Sequence, residues 1–93
     1  MVTDMSANEK IRLNIKWLRK AYNLSQDQLA GMIGVNRPLV GAWEEGRSVP
    51  RPDELIVISD YFRVPIDDLL RVEMSRCYVV ETVQRLAKLT IEQ

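Results

Sequence analysis

The chain has 93 residues, of which 46% are hydrophobic and 28% charged, so it is long enough for one small folded domain and too short for two. A lone cysteine, Cys77, excludes an intrachain disulfide, and with no histidine a zinc or iron site would have to be built from carboxylates alone. The apolar runs are only a few residues long, which excludes a membrane span, and the formal net charge is zero.

The first ten residues, MVTDMSANEK, have no apolar run behind a positive flank, so no signal peptide is expected. Ile11, Ile15, Leu18 and Tyr22 then recur at helical spacing and predict an amphipathic helix over about 8–22, capped by Asn8 or Ser6. Lys16, Arg19 and Lys20 fall near its C-terminal end, where cations suit the helix dipole. In NLSQDQLAGMIG, Ser25 and Gln28 have the spacing of a capping box, and Leu29, Ala30, Met32 and Ile33 supply the inner stripe. Gly34 stands where a left-handed residue ends that helix.

The third helix begins in VNRPLVGAWEEG. Asn36 is its N-cap, Pro38 is tolerated in the first turn, and Gly46 ends it. RSVPRP is a proline-rich connector. Pro52 opens a fourth helix with Asp53 and Glu54 in its first turn and Leu55, Ile56, Ile58, Ser59 and Phe62 on its inner side. RVP breaks that helix and PIDDLL makes a short fifth. From Val72 onward a sixth helix is expected, with Val72, Val79, Val80, Val83, Leu86 and Ala87 on one face. No β-hairpin signal occurs, so the fold class is all-α.

Charge is unevenly placed along the chain. Between Glu9 and Pro52 eight cations face four anions; between Asp53 and Glu73 two cations face six anions. A neutral total therefore permits a basic face, the alternative being an ordinary mixed surface.

From Asn14 to Leu70 the chain resembles the Cro/CI-type helix-turn-helix family, the xenobiotic-response-element-type regulators of bacteria and phages. The resemblance is carried by LSQDQLAGMIGV, LVGAWEEGR, the proline-containing connector and ISDYFRVPIDDLL. Ala30, Gly34 and Val40 take the family's small, turn and apolar positions, and Leu29, Ile33, Val35 and Trp43 its other core positions. Independent physics agrees: helices crossing steeply need a small residue at the crossing, and a three- to four-residue reversal needs positive φ. The resemblance implies a five-helix lambda-repressor-like DNA-binding domain over residues 8–70, with an additional C-terminal helix over 71–93.

The family lays its third helix, here residues 36–45, in the major groove of double-stranded DNA. By resemblance, Arg37, Pro38, Gly41 and Ala42 face base edges, with Leu39 at the groove wall. Arg37 is the one strong donor, either forking onto guanine or holding a phosphate. Pro38 and Ala42 can touch thymine methyl groups, and Gly41 can let the helix backbone come close to the DNA. Gln26 matches the family's backbone-contacting glutamine. Ser25, Asn36, Arg47 and Arg51 are further phosphate candidates, although Asn36 also reads as a cap and the two arginines as solvated loop cations. Arg19 and Glu44 match a structural ion pair of the family, and Glu45, facing outward, opposes DNA.

These residues point to a sequence-specific regulator of transcription, a repressor, in the cytoplasm of a bacterium or encoded by a phage. The alternatives are an antitoxin or a protein-interaction module of the same fold. A homodimer through Val79, Val83 and Leu86 would match a two-fold operator; otherwise that segment folds back on its own domain. No enzymatic constellation, cofactor motif or metal-ligand set is present, and no membrane partner is expected.

Overall fold

The computed structural model describes residues 5–78. Six helices follow one another: α1 (Ala7–Ala21), α2 (Gln26–Ile33), α3 (Arg37–Glu45), α4 (Pro52–Phe62), α5 (Ile66–Arg71) and the single turn α6 (Met74–Cys77). No strand occurs among the described residues. Ser6 is the cap that starts α1, its hydroxyl accepting from the Glu9 N–H at 3.1 Å. The Glu9 carboxylate accepts in return from the Ser6 N–H at 3.2 Å.

α1 is the central element. It packs on α3, α5 and α6, while α2 packs on α3 and α4. The core gathers Ile11, Ile15 and Leu18 from α1, Leu29 and Ala30 from α2, Val40 and Trp43 from α3, Ile58 and Phe62 from α4, Leu69 from α5 and Met74 from α6. α2 and α3 have eight and nine residues, too few to persist alone, so their orientation depends on what α1 and α4 bury against them. Gly34 and Gly46 end α2 and α3 at φ +79, in the left-handed region where a Cβ is strained.

Two expectations are corrected. Ile56, read as an inner residue of α4, is 47% exposed, beside exposed Val57 and Tyr61. Ile58, Ser59 and Phe62 form the buried side, and Ile56 lies about 100° round the helix from Leu55, at the edge of that side. Nor does a continuous helix start at Val72. Val72 and Tyr78 are extended, and only Met74–Cys77 are helical between them.

The cause is Asn14, a buried residue of α1. Its amide nitrogen donates to the Leu69 carbonyl at 3.0 Å and the Val72 carbonyl at 2.7 Å, and its oxygen accepts from the Met74 N–H at 3.0 Å. These bonds take the end of α5 and the start of α6 out of helical continuity and press Met74 into the core. Tyr78 then rests edge-on against Trp17 at 6.1 Å and donates its hydroxyl to Asp68. Burial and that carboxylate push the Tyr78 phenol up to about 12. Cys77 is exposed. Val79, Val80, Val83, Leu86 and Ala87 lie outside the described residues.

Candidate nucleic-acid interface

The N-terminal end of α2 is closed by a reciprocal cap. The Gln28 N–H donates to Ser25 Oγ at 3.0 Å, and the Ser25 N–H donates to Gln28 Oε1 at 2.8 Å. Ser25 is exposed and its oxygen acts as acceptor, so its hydroxyl proton remains free for an anion. At the start of α3, Asn36 Oδ1 accepts from the Leu39 N–H at 3.1 Å, which leaves the amide NH2 as its remaining donor.

Arg37 and Pro38 are exposed on the first turn of α3, and Leu39 is half-buried. Arg37 makes no ion pair among the described residues. The next two positions depart from the sequence reading. Gly41 and Ala42 are buried, Ala42 retaining 8% of its surface. A Cβ on Gly41 would stand 3.6 Å from Gln26 Oε1, in ordinary contact, so this face of α3 lies against the glutamine of α2. Residues this small have no atoms beyond Cβ to rise above their neighbours. The side chains that α3 offers outward at its start are therefore Arg37 and Pro38.

Behind this surface lies a polar clamp. Arg19 donates through Nε to Glu44 Oε2 at 2.7 Å and through Nη2 to Glu44 Oε1 at 3.0 Å, a two-pronged pair. Arg19 Nη1 also donates to the Leu24 carbonyl at 2.8 Å, and Gln26 Nε2 donates to Glu44 Oε1 at 3.1 Å. The arginine and glutamate side chains are 12% and 3% exposed. Burial alone would push the Glu44 carboxyl up, but the Arg19 and Gln26 hydrogen bonds outweigh it and hold the group below its ordinary range. One glutamate thus joins α1, α2 and α3, and Gln26 is fixed by it beside α3.

The cations after α3 are less free than Arg37. Arg47 Nε pairs with Glu45 at 2.7 Å, and Arg51 stands 3.6 Å from Glu54. Both arginines are largely exposed, and such pairs exchange readily for a stronger anion. Arg12, which the sequence reading left without a role, lies across the C-terminal end of α3 and donates to the Glu44 carbonyl at 3.4 Å. Asn14 was also passed over. Its signal was present: 11, 14, 15 and 18 are one helical face, and a polar residue stands in the middle of it. Among the described residues no group of side chains could hold a metal ion, and no helix is long and apolar enough to cross a membrane.

A short helix set across a second one, closed by a left-handed glycine and buttressed by α1 and α4, defines a helix-turn-helix protein. A profile of the Helix-turn-helix family matches residues 15–69, more than half of the chain, and the chain belongs to that family. It is similar to the HTH-type transcriptional activator BcrR of Enterococcus faecalis, 41% identical over 66 residues, covering 71% of this chain and 30% of that protein. It is 38% identical over 62 residues to the HTH-type transcriptional regulator YqaE of Bacillus subtilis, covering 67% and 53%. To the cryptic phage CTXphi transcriptional repressor RstR of Vibrio cholerae it is 33% identical over 60 residues, covering 64% and 54%. The matched region therefore spans between about a third and a little over half of these relatives. No solved structure matches the chain.

Proposed function

We propose that the chain is a sequence-specific DNA-binding regulator of transcription that works as a repressor in a bacterial or phage-encoded system, in the cytoplasm. The observation that carries the reading is Arg37, exposed and free of carboxylates on the first turn of a helix clamped by Arg19, Glu44 and Gln26. With α3 in the major groove, Arg37 reads a guanine and Pro38 touches a thymine methyl. Ser25, Gln26, Asn36, Arg47 and Arg51 hold phosphates on either side. Gly41 and Ala42, buried and without polar side-chain atoms, add no side-chain hydrogen bonds to the reading, which leaves DNA shape a share of the specificity. Relatives carrying the names activator and repressor support regulation in general, and RstR the repressor sense.

The test is a salt titration of binding to random and selected duplexes, for the native chain and Arg37→Ala. The reading expects affinity that falls steeply with salt and, in Arg37→Ala, loss of a preference of ~1–3 kcal/mol for selected sequences. No binding even at low salt sinks it and leaves the protein-interaction module or an antitoxin. A homodimer belongs to the proposal, since two-fold operators call for two-fold proteins. Its contact is assigned to Val79, Val83 and Leu86, the competing apolar surface being Ile56, Val57 and Tyr61 on α4. Sedimentation of Val83→Glu beside Val57→Glu separates the two.

A further inference from the structure

A surface groove runs between the start of α1 and the connector that follows α3, with Arg12, Glu9, Gly46 and Ser48 in its walls. A Cβ on Gly46 would fall 3.1 Å from Arg12 Cδ and 3.6 Å from Arg12 Nε, so the glycine lets the arginine stem lie flat over the end of α3. The stem is thereby held, and the residue as a whole is half-buried.

That guanidinium is underused. Among the described residues it has one hydrogen bond, the long one from Nη1 to the Glu44 carbonyl at 3.4 Å, and no ion pair. Arg19, Arg47, Arg51, Arg71 and Arg76 each have a carboxylate within 4 Å. The carboxylate nearest at hand in the groove, Glu9, is engaged with the N–H and hydroxyl of Ser6. In the same groove, half-buried Ser48 brings a hydroxyl with no side-chain bond among the described residues. The groove thus pairs a positioned fork of N–H donors with a hydroxyl donor, and that is the chemistry of a phosphate oxygen site. Its place follows from α3. A helix lying in the major groove meets a phosphate wall beyond its C-terminal end, and Gly46, on which Arg12 rests, adjoins Arg47 there.

We infer that Arg12 and Ser48 form a backbone-phosphate site for duplex DNA at the C-terminal end of α3, distinct from the donors at the start of α2. The inference rests on α3 being the DNA-reading helix. It assigns α1 a direct part in binding besides its structural one. The test is fluorescence anisotropy of the full chain on a random duplex over a salt series, for native protein, Arg12→Gln, Arg12→Lys and Ser48→Ala, with thermal melts alongside. Loss of one phosphate contact is expected to shrink the slope of log affinity against log salt by ~0.9 in Arg12→Gln. Arg12→Lys should restore most of that slope, and Ser48→Ala should weaken binding severalfold with the slope unchanged. Should Arg12→Gln fail to fold, Ser48→Ala decides alone. Native-like slope and affinity in Arg12→Gln, or native affinity in Ser48→Ala, overturn the site while leaving α3 in the groove. A native protein with no salt-dependent binding overturns the DNA reading and this site together.

Discussion

Asn14 is the residue whose replacement tests the architecture most sharply. It is 2% exposed, and its side chain serves three backbone groups that α5 and α6 leave unpaired at their junction: the Leu69 and Val72 carbonyls and the Met74 N–H. A buried polar group stripped of its partner costs ~1–3 kcal/mol. Water entering the space left by Asn14→Ala would re-satisfy some of the three, so a loss of ~2–5 kcal/mol is expected there. Asn14→Leu is the better experiment. Leucine has the same number of side-chain heavy atoms, branched at the same carbon, admits no water and is the stronger helix former by up to ~0.7 kcal/mol, so a purely apolar account of the core predicts stabilisation. The hydrogen-bond geometry predicts the reverse, a loss at least as large as that of Asn14→Ala. Against a total stability of ~5–15 kcal/mol this is a large fraction, and for a domain of this size the melting temperature should fall by ~10 °C or more. Urea titration followed by far-ultraviolet circular dichroism reads the difference. An Asn14→Leu protein as stable as the native one would refute the idea that these three bonds hold the segment after α5 in place.

Two further outcomes follow from local geometry and charge. Gly31 lies inside α2 with open space where a Cβ would stand, so Gly31→Ala should stabilise by ~0.5–1 kcal/mol. Gly34, at φ +79, should lose ~1–2 kcal/mol as Gly34→Ala despite equally open space, and thermal melts giving both changes the same sign would contradict the left-handed helix end. For the clamp, the folded Glu44 carboxyl lies below its ordinary value of 4.5, so its contribution is complete above that value and is lost as pH falls through the depressed one. Glu44→Gln should therefore cost up to ~3–5 kcal/mol at neutral pH, and the gap to the native protein should narrow as the solution is acidified below about 4.5. A gap that is constant with pH would show that the carboxylate charge is not what Arg19 and Gln26 recognise.

Much of this fold was legible because its signals are local. Ser25 and Asn36 cap the helices their positions announce, and Gly34 and Gly46 end them with the positive φ that only glycine adopts cheaply. What stayed hidden depends on partners far away in sequence. Asn14 drew no reading of its own because its acceptors and donor lie 55–60 residues downstream. The segment after Arg71 has a helical apolar period, and nothing in that period reveals that Asn14 will claim the carbonyls needed to continue the helix. Gly41 and Ala42 were assigned to DNA from their place in the motif, and that place does not show that both are buried or that Gln26, held by Glu44, lies beside Gly41. Ile56 shows the same limit at the edge of a helix face, where periodicity alone cannot decide between core and solvent.

The clamp of Arg19, Glu44 and Gln26 is best understood as a device of orientation rather than of stability. Taking both charges out of water offsets much of their attraction, so a well-packed apolar trio of similar volume would hold the helices together about as firmly. Apolar contact, however, is non-directional, and α3 has only Val40 and Trp43 as deep anchors. A helix seated on two such residues can roll about its axis with little loss of burial. The fork of Arg19 on Glu44 cannot follow such a roll without breaking two short bonds, and Gln26 locks the same carboxylate from α2. The roll angle decides where Arg37 points. Helix α1 thus performs two tasks from two faces: Arg19, with Arg12 above it, sets the attitude of α3, while Asn14 and Trp17 hold the chain that leaves α5. The polar network of Arg19, Glu44 and Gln26 thus supplies across α1, α2 and α3 the direction that apolar burial alone does not.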